Sequence, residues 1–202
     1  MTQRFALLFL ALVLIAGCGP RQESIPMIDG VVDDFEDGDI YNRLGFTWES
    51  VSGGAEADAT IFVEAGGIGT SRYQLTIGGM CPIGSSGDLV SGARVRMGQP
   101  LEANRSEVTN VTAYSGLELR MRGTPGSYII QLGTEAITDF DFYNAYVEVT
   151  GDWTTFQIPF AEFRQEGFGE NVRWTGVDLT HVAIYSNIYG PYSLFVDDIK
   201  FY

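Results

Sequence analysis

The chain has 202 residues, 45% of them hydrophobic, and its 12 basic side chains are outnumbered by 26 acidic ones, which gives a formal net charge of −14. This charge argues against nucleic-acid binding, because neutralising phosphates needs a basic surface, and against a polybasic membrane-surface module. The hydrophobic content is typical of a folded chain, and the length suits one domain with a short leader.

Residues 1–17 have the pattern of a signal peptide. Arg4 is followed by a continuous apolar run over residues 5–17, which is shorter than the ~20 residues of a membrane-spanning helix and has the length of a signal-peptide core. The small residues Ala16 and Gly17 precede Cys18, a pattern that resembles the lipobox of bacterial lipoproteins. We therefore predict removal of residues 1–17 and lipidation of Cys18, for example with palmitate. The alternative is an ordinary signal peptide with a chance cysteine.

The rest of the chain divides into a short tether and one domain. Residues 18–27 are mostly polar and predict a flexible tether, and residues 28–202 show no further domain boundary. The residue after Cys18 is Gly19 rather than the Asp that signals inner-membrane retention in lipoproteins of two-membrane bacteria. The predicted location is the bacterial cell envelope, lipid-anchored, in the outer membrane where there are two. Lipidation leaves Cys81 as the one free thiol, and its apolar neighbours predict that it is buried.

From residue 28 onward the dominant pattern is period-two alternation of apolar and polar residues, which is typical of half-buried strands. Gly, Asn, Asp and Pro separate the alternating runs, and the gaps are too short for crossover helices. The sequence therefore predicts an all-β fold, an antiparallel β-sandwich or jelly roll. The main predicted strands lie at residues 59–64, 72–77, 91–97, 115–122, 128–132, 140–149, 153–158, 181–186 and 192–201.

Several landmarks occur in an order that resembles known families. They are Asp34-Phe35-Glu36-Asp37-Gly38, Leu117-Glu118-Leu119-Arg120-Met121, Gly151-Asp152-Trp153 and Val196-Asp197-Asp198-Ile199. This order resembles family-11 carbohydrate-binding modules and the related complex I intermediate-associated domain, over roughly residues 28–202. The resemblance implies a galactose-binding-domain-like jelly roll.

Carboxylates cluster at both ends of the predicted domain. One cluster lies within residues 33–39 and the other is Asp197-Asp198 in the last predicted strand. Ca²⁺ takes about six to eight oxygen ligands, mixing carboxylates and carbonyls, and would offset the repulsion between the two clusters. The resemblance implies a structural calcium held by Glu36 and Asp198, with Asp34 and Asp197 as close alternatives. The other interpretation is a solvated acidic surface.

Alternation also predicts a carbohydrate-binding face. If Phe140 and Phe142 point inward, then Asp141 and Tyr143 point outward, and Gln131 is the expected outward residue of the strand over 128–132. Aromatic faces contact sugar CH groups, and planar polar groups hydrogen-bond sugar hydroxyls. This residue composition is the type that a glycan groove needs.

The strand over 181–186 extends the same face. Val182 and Ile184 read as inward, so Tyr185 and Asn187 read as outward. The other interpretation is that these tyrosines fill a sandwich edge. The predicted carbohydrate-binding residues are Gln131, Asp141, Tyr143, Tyr185 and Asn187, and further outward polar candidates are Arg72, Arg94 and Arg96.

No catalytic signature stands out in the sequence. It has one histidine, His181, and lacks a Gly-x-Ser-x-Gly elbow, a phosphate loop, a dinucleotide fingerprint and zinc-ligand spacing. The first hypothesis is a non-catalytic lipoprotein that binds a polysaccharide or glycan and carries a structural calcium. The second, implied by the complex I intermediate-associated resemblance, is an assembly lipoprotein that docks a partner protein on the same face. An unrecognised hydrolase that uses His181 ranks last.

Overall fold

The computed structural model describes residues 21–27, 29–53, 57–81, 91–102 and 105–202. These residues form β-strands and one 3₁₀ turn at Phe160–Glu162, so the predicted all-β fold is confirmed. The predicted signal peptide over residues 1–17 and the predicted lipidation site, Cys18, lie outside the described residues. Within the described part of the chain, no helix is long and apolar enough to cross a membrane.

The strands are numbered in chain order. They are β1 (Arg21–Ile25), β2 (Val31–Asp33), β3 (Trp48–Ser52), β4 (Asp58–Ala65), β5 (Tyr73–Cys81), β6 (Ser91–Arg96), β7 (Pro100–Glu102), β8 (Arg105–Thr109), β9 (Gly116–Gly123), β10 (Gly126–Thr134), β11 (Tyr143–Val149), β12 (Thr154–Pro159), β13 (Leu179–Ser186) and β14 (Gly190–Phe201).

The strands form two sheets. The larger sheet runs β3-β6-β13-β10-β11, with β8 beside the start of β13 and β7 and β1 paired to β8. The smaller sheet runs β12-β9-β14-β5-β4, with β2 paired to the end of β14. All pairings are antiparallel except β1 with β8, which is parallel. The structure thus places Arg21–Ile25, inside the predicted tether, in a paired strand.

The core lies between the two sheets, and alternation along each strand fills it. In β9, Leu117, Leu119 and Met121 are fully buried, whereas Arg120 and Arg122 point to the outer side. Burying one face of each sheet is the main stabilising contribution of such a sandwich. The buried thiol predicted for Cys81 is confirmed. Two sheets packed face to face leave two outer faces on which a site could lie.

Candidate functional site

The outer face of the larger sheet carries a polar and aromatic row. Its inward residues, such as Val95, Ile130 and Ile184, are fully buried, so the residues between them point outward. The strand register aligns two neighbouring rows across this face. One row is Glu49, Arg94, Ala183, Gln131 and Asn144, and the next is Val51, Gly92, Tyr185, Ile129 and Tyr146.

Hydrogen bonds join the polar side chains of this face into a continuous chain, which we call the amide relay (Thr180, His181, Gln131, Asn144 and Glu166). Thr180 Oγ1 lies 3.3 Å from His181 Nδ1, and His181 Nε2 lies 3.2 Å from Gln131 Oε1. Gln131 Nε2 then donates to Asn144 Oδ1 at 3.0 Å, and Asn144 Nδ2 donates to Glu166 Oε1 at 3.2 Å. The relay crosses three strands and ends on a carboxylate.

The carboxylate of Glu166 fixes the direction of every bond in the amide relay. An ionised carboxylate only accepts hydrogen bonds, so Asn144 must turn its NH₂ toward Glu166 and its oxygen toward Gln131. Gln131 in turn presents its oxygen to His181, which must therefore carry its proton on Nε2. Burial, with a smaller contribution from Arg94, lowers the pKa of His181 to about 4, so the ring is neutral at pH 7 and Nδ1 can accept from Thr180.

Two tyrosines flank the amide relay and differ in exposure. The ring of Tyr146 is 54% exposed, and its hydroxyl donates to Glu166 Oε1 at 2.7 Å. Burial and the nearby Glu166 carboxylate raise the pKa of Tyr146 to about 12. The ring of Tyr185 is buried in the same face, and its hydroxyl has no hydrogen-bond partner among the described residues. The face thus offers one exposed ring and one free phenol.

At the other end of the amide relay two arginines surround an acid and a pocket. Arg94 Nη2 lies 3.2 Å from Glu49, and Arg96 Nε lies 3.8 Å from the same carboxylate. The Nε atom of Arg94 is buried without a partner in the described structure. A pocket of about 270 Å³ opens here, at the small end of the range for ligand sites. It is lined by Arg94, Arg96, Gly98, Gln99, Ser106, Glu107, Glu135, Thr180 and His181.

Comparison of the sequence with family models gives one decisive match. The model of Complex I intermediate-associated protein 30 (CIA30) matches residues 64–187, which is more than half of the chain and includes all three strands of the amide relay. The chain belongs to the CIA30 family. No curated protein matches its sequence.

Solved structures similar to this CIA30 chain include carbohydrate-binding modules from Clostridium thermocellum. The family 11 module of the cellulosomal cellulase Lic26A-Cel5E has a TM-score of 0.59 and 16% identity, over 85% of this chain and 92% of that one. A family 11 module in complex with a β-1,3-1,4-mixed-linked tetrasaccharide has a TM-score of 0.58 and 16% identity, over 85% and 94%. The family 30 module of Cel9D-Cel44B has a TM-score of 0.57 and 17% identity, over 85% and 96%. At these identities the likeness shows a shared fold, the jelly-roll sandwich.

Three of the five residues predicted to bind carbohydrate lie on or beside the outer face of the larger sheet in this CIA30 chain. Gln131 is the centre of the amide relay, and Tyr185 lies in the neighbouring row. Asn187 is exposed just beyond β13, where its backbone N–H donates to Ser127 O at 3.1 Å. Arg94 and Arg96 lie on the same face, whereas Arg72 is ion-paired with Glu36 elsewhere. A role of these residues in binding stays a prediction.

The outward orientation expected for Asp141 and Tyr143 is wrong. Asp141 is 1% exposed, and its carboxylate accepts hydrogen bonds from the backbone N–H groups of Glu166, Gly167 and Gly169 at 2.8–3.1 Å. It therefore holds the loop that carries Glu166. Tyr143 is 5% exposed, belongs to the hydrophobic core and stacks edge-on against Trp174 at 5.2 Å. Neither side chain is available to a ligand on the outer face.

The orientation of Asp141 and Tyr143 was predicted wrongly because the alternation was counted from the wrong residue. Phe140 is not part of a strand: it has a φ of 67° and is 76% exposed, so β11 begins only at Tyr143. Within β11, Ala145, Val147 and Val149 are the inward residues. Taking the phase from these three residues would have placed Asn144 and Tyr146 outward, so the sequence did carry the signal. Nothing local marks Glu166, which a loop brings in from outside the sheet.

The four carboxylates predicted to bind calcium do not form one cluster. Asp34 is ion-paired with Arg43, and Asp198 is ion-paired with Arg120 at 2.9 Å. Among the residues that the structure describes, no three Asp, Glu, His or Cys side chains form a group placed to hold a metal ion. A site made of all four carboxylates therefore does not fit this structure, because Asp34, Asp198 and Glu36 are each already ion-paired with an arginine.

The other two carboxylates meet at the segment between β4 and β5. Ser71 Oγ and the Arg72 backbone N–H both donate to Glu36 Oε1 at 2.7 Å, and these donors lower the pKa of Glu36 to about 2. Asp197 Oδ2 accepts from the backbone N–H of Ile68 at 3.0 Å, and burial raises the pKa of Asp197. Among the described residues Asp197 is thus the one of the four carboxylates without an arginine partner, and Glu36, which is ion-paired with Arg72, lies at the same segment.

Proposed function

We propose that this CIA30 chain is a non-catalytic lipoprotein of the bacterial cell envelope that binds a polysaccharide or glycan on the outer face of its larger sheet. The observation that carries the proposal is the amide relay next to the exposed ring of Tyr146. The solved modules with the same fold are described as carbohydrate-binding, and one is in complex with a tetrasaccharide. Because these modules are only 16–17% identical to this chain, their ligands are not assigned to it, and glycan binding is our proposal.

The chemistry of this face suits a sugar chain. Sugar hydroxyls both donate and accept hydrogen bonds, so they pair with amides whose donor and acceptor ends are fixed in advance. The face of the Tyr146 ring can cover a row of sugar CH groups, and the free Tyr185 hydroxyl supplies a further polar contact. Because the relay is already ordered, binding would cost little additional side-chain entropy.

The environment of His181 supports a binding role over a catalytic one. A general base at neutral pH needs a pKa near the working pH, whereas the pKa of His181 is lowered to about 4. Both ring nitrogens are also engaged, one by Gln131 and one by Thr180. In this position the ring orients neighbouring amides instead of accepting a proton from a substrate.

We further propose that calcium is held by Glu36 and Asp197 together with backbone carbonyls of residues 66–71. Carboxylates mixed with carbonyls are the ligands that Ca²⁺ prefers. When bound, the ion would neutralise Asp197 and take the place of Arg72 beside Glu36, so that it joins carboxylates from opposite ends of the domain. The lipid anchor at Cys18 and the envelope location rest on residues 1–18 of the sequence and belong to the same proposal.

Docking of a protein partner on the same face is the second candidate. It rests on the name of the family alone, Complex I intermediate-associated protein 30. A protein partner would also use Tyr146, because exposed tyrosines are frequent anchors at interfaces. The two candidates differ in what the isolated chain binds: a glycan in the first case and no glycan in the second.

The test is a broad polysaccharide and glycan array probed with the purified chain, with calcium and again with chelator. We expect binding to one glycan class, weakened about tenfold or more in Tyr146→Ala and Gln131→Leu, since each removes a contact of about 1–2 kcal/mol. Gln157→Leu, an exposed glutamine on the smaller sheet, is the matched control and should bind as the parent does.

The outcomes separate the parts of the proposal. A blank array from folded protein contradicts glycan binding and leaves the protein partner as the candidate. Binding that persists in chelator contradicts a calcium requirement for binding but leaves the face in place. Equal binding by Tyr146→Ala, Gln131→Leu and the control would move the site away from the larger sheet.

A further inference from the structure

The outer face of the smaller sheet carries a row of aromatic rings at alternate strands. Phe195 on β14 pairs directly with Arg122 on β9 and with Thr76 on β5, and Thr76 pairs with Phe62 on β4. Trp153, just before β12, lies on the far side of Arg122. Neighbouring strands are about 4.8 Å apart, so Phe62 and Phe195 stand two strand spacings apart, as do Phe195 and Trp153. The row of rings is therefore evenly spaced and crosses the whole sheet.

A shelf of small residues lies beside this aromatic row. Ser193, Gly78 and Thr60 are aligned by the same register, each two residues away from a member of the aromatic row. A Cβ atom added to Gly78 would contact only Thr60 Oγ1, at 3.7 Å. Space is therefore open above the centre of the shelf, and an extended ligand could lie there with its side against the rings.

Arg122 is the unpaired cation of this face. Its guanidinium carbon lies 4.6 Å from the Phe195 ring centroid and 5.2 Å from the Trp153 ring centroid. Its Nε is buried without a hydrogen-bond partner, and no acidic side chain of the described residues forms an ion pair with it. A guanidinium held between two rings in one orientation is suited to a planar carboxylate, which it can bind through two parallel hydrogen bonds.

Three acids on this face of the described structure already have partners. Asp198 is paired with Arg120 at 2.9 Å, and Glu118 is paired with Lys200 at 3.0 Å. Glu64 accepts a hydrogen bond from Thr76 Oγ1 at 2.6 Å. The net charge of −14 repels anions at long range, so a carboxylate gains from Arg122 only in direct contact with its guanidinium.

We propose that the smaller sheet is a second glycan-binding face, specific for an acidic polysaccharide, in which the exposed ring of Phe62 stacks on a sugar ring and Arg122, held between Trp153 and Phe195, binds a uronate carboxylate. Stacking on aromatic faces supplies contact area, and the paired hydrogen bonds from Arg122 supply the selection for charge. This second face extends the proposed function but does not share residues with the larger sheet.

The experiment measures binding of the full-length chain in detergent to polygalacturonate, with neutral xylan as the comparison polymer. We expect polygalacturonate to bind and Arg122→Met to weaken it about tenfold or more, since a charge-assisted hydrogen bond is worth one to two factors of ten. Arg173→Met removes the same charge from an exposed arginine that has no acidic partner in the described structure, and should change binding less than twofold.

A second variant guards against misfolding of the first. Gly78→Leu fills the shelf at a position where its Cβ has room, and it should weaken polygalacturonate binding while the thermal midpoint stays close to that of the parent. Tyr146→Ala should leave polygalacturonate binding unchanged, so the two faces are tested separately. Absence of polygalacturonate binding, equal binding of xylan, equal effects of Arg122→Met and Arg173→Met, or a loss caused by Tyr146→Ala would each overturn the proposal.

Discussion

At the scale of single residues, His181 shows how a carboxylate that it does not contact can fix its tautomer. Glu166 does not contact His181, yet the two amides between them can satisfy all their hydrogen bonds in only one orientation. The histidine is therefore restricted to one tautomer. Fixed donors and acceptors are what a sugar-binding face needs, because each wrongly oriented amide would leave a polar group unpaired.

We expect His181 to be neutral at pH 7 and protonated on Nε2. The chain has one histidine, so nitrogen-15 correlation spectra of the ring report this residue without assignment. Gln131→Leu removes the acceptor of the Nε2 proton and should shift the ring toward a mixture of tautomers. Gln157→Leu, on the other sheet, should leave the spectrum unchanged. A parent spectrum dominated by the Nδ1-protonated form would show that the amide relay runs in the opposite direction.

Gln131 and Tyr185 could be placed from the sequence because their strands show clean alternation. In β10 and β13 the apolar residues Ile130, Val182 and Ile184 are all inward, so the polar residues between them are outward. The position of Asp141 could not be deduced in this way. Its burial depends on three backbone N–H groups of a loop that lies about 25 residues later in the chain, and alternation has no information on such contacts.

At the scale of elements, β11 shows that the residue that starts a strand decides which side chains a ligand can meet. The alternating pattern in the sequence begins at Phe140, but a left-handed backbone at this residue separates it from the strand. A shift of one residue exchanges the two faces of a strand. Tyr143 therefore enters the core beside Trp174, and Tyr146 takes the exposed place.

Truncation of the two tyrosines of β11 should lower the free energy of unfolding by very different amounts. Tyr143→Ala leaves a cavity in the core and removes a hydrogen bond to the Val172 carbonyl, so we expect a loss of about 3–5 kcal/mol in the free energy of unfolding. Tyr146→Ala removes an exposed ring and should cost about 1 kcal/mol or less. Urea denaturation measures both. A larger loss for Tyr146→Ala than for Tyr143→Ala would mean that β11 has the other phase.

The sequence predicts most of the strands, but it does not predict how the strands pair in the two sheets. Most strands alternate clearly, but β1, β2, β3, β7 and β8 are short and were missed. Their contribution comes from pairing: β2 joins the end of β14, and β8 lies beside the start of β13. Short edge strands carry few residues in which a period of two can be recognised, and only the completed sheet determines where they lie.

At the scale of the whole molecule, two buried groups make stability respond to pH in opposite directions. Burial raises the pKa of Asp33 from 3.8 to about 7, against the opposing hydrogen bonds that it accepts from Phe35 N and Trp48 Nε1. Burial lowers the pKa of His181 from 6.5 to about 4. Both groups are therefore neutral in the folded chain at pH 5–6.5, and both become charged when it unfolds.

The sign of each effect follows from proton binding. Near pH 5.5 the folded state holds a proton on Asp33 that the unfolded chain has released, so this residue makes stability fall as pH rises through its folded pKa. The unfolded chain holds a proton on His181 that the folded state lacks, so this residue makes stability fall as pH drops. Each slope approaches about 1.4 kcal/mol per pH unit, and the two largely cancel between pH 5 and 6.5.

Single substitutions should reveal how Asp33 and His181 each make the free energy of unfolding depend on pH. We expect the free energy of unfolding of Asp33→Asn to rise with pH more steeply than that of the parent between pH 5 and 6.5, and that of His181→Gln to fall relative to the parent. The measurement is urea unfolding at several pH values, and slopes are compared rather than absolute stabilities, so that a constant packing loss in either variant does not matter. The double variant should return to the slope of the parent, because the two contributions are opposite and nearly equal. Slopes that change in the same direction in both single variants would show that one of the two groups is charged in the folded protein. Unfolding at about pH 8.5–9.5, well above the folded pKa of Asp33 and the unfolded pKa of His181, would serve as the internal control, because neither group contributes an appreciable slope there.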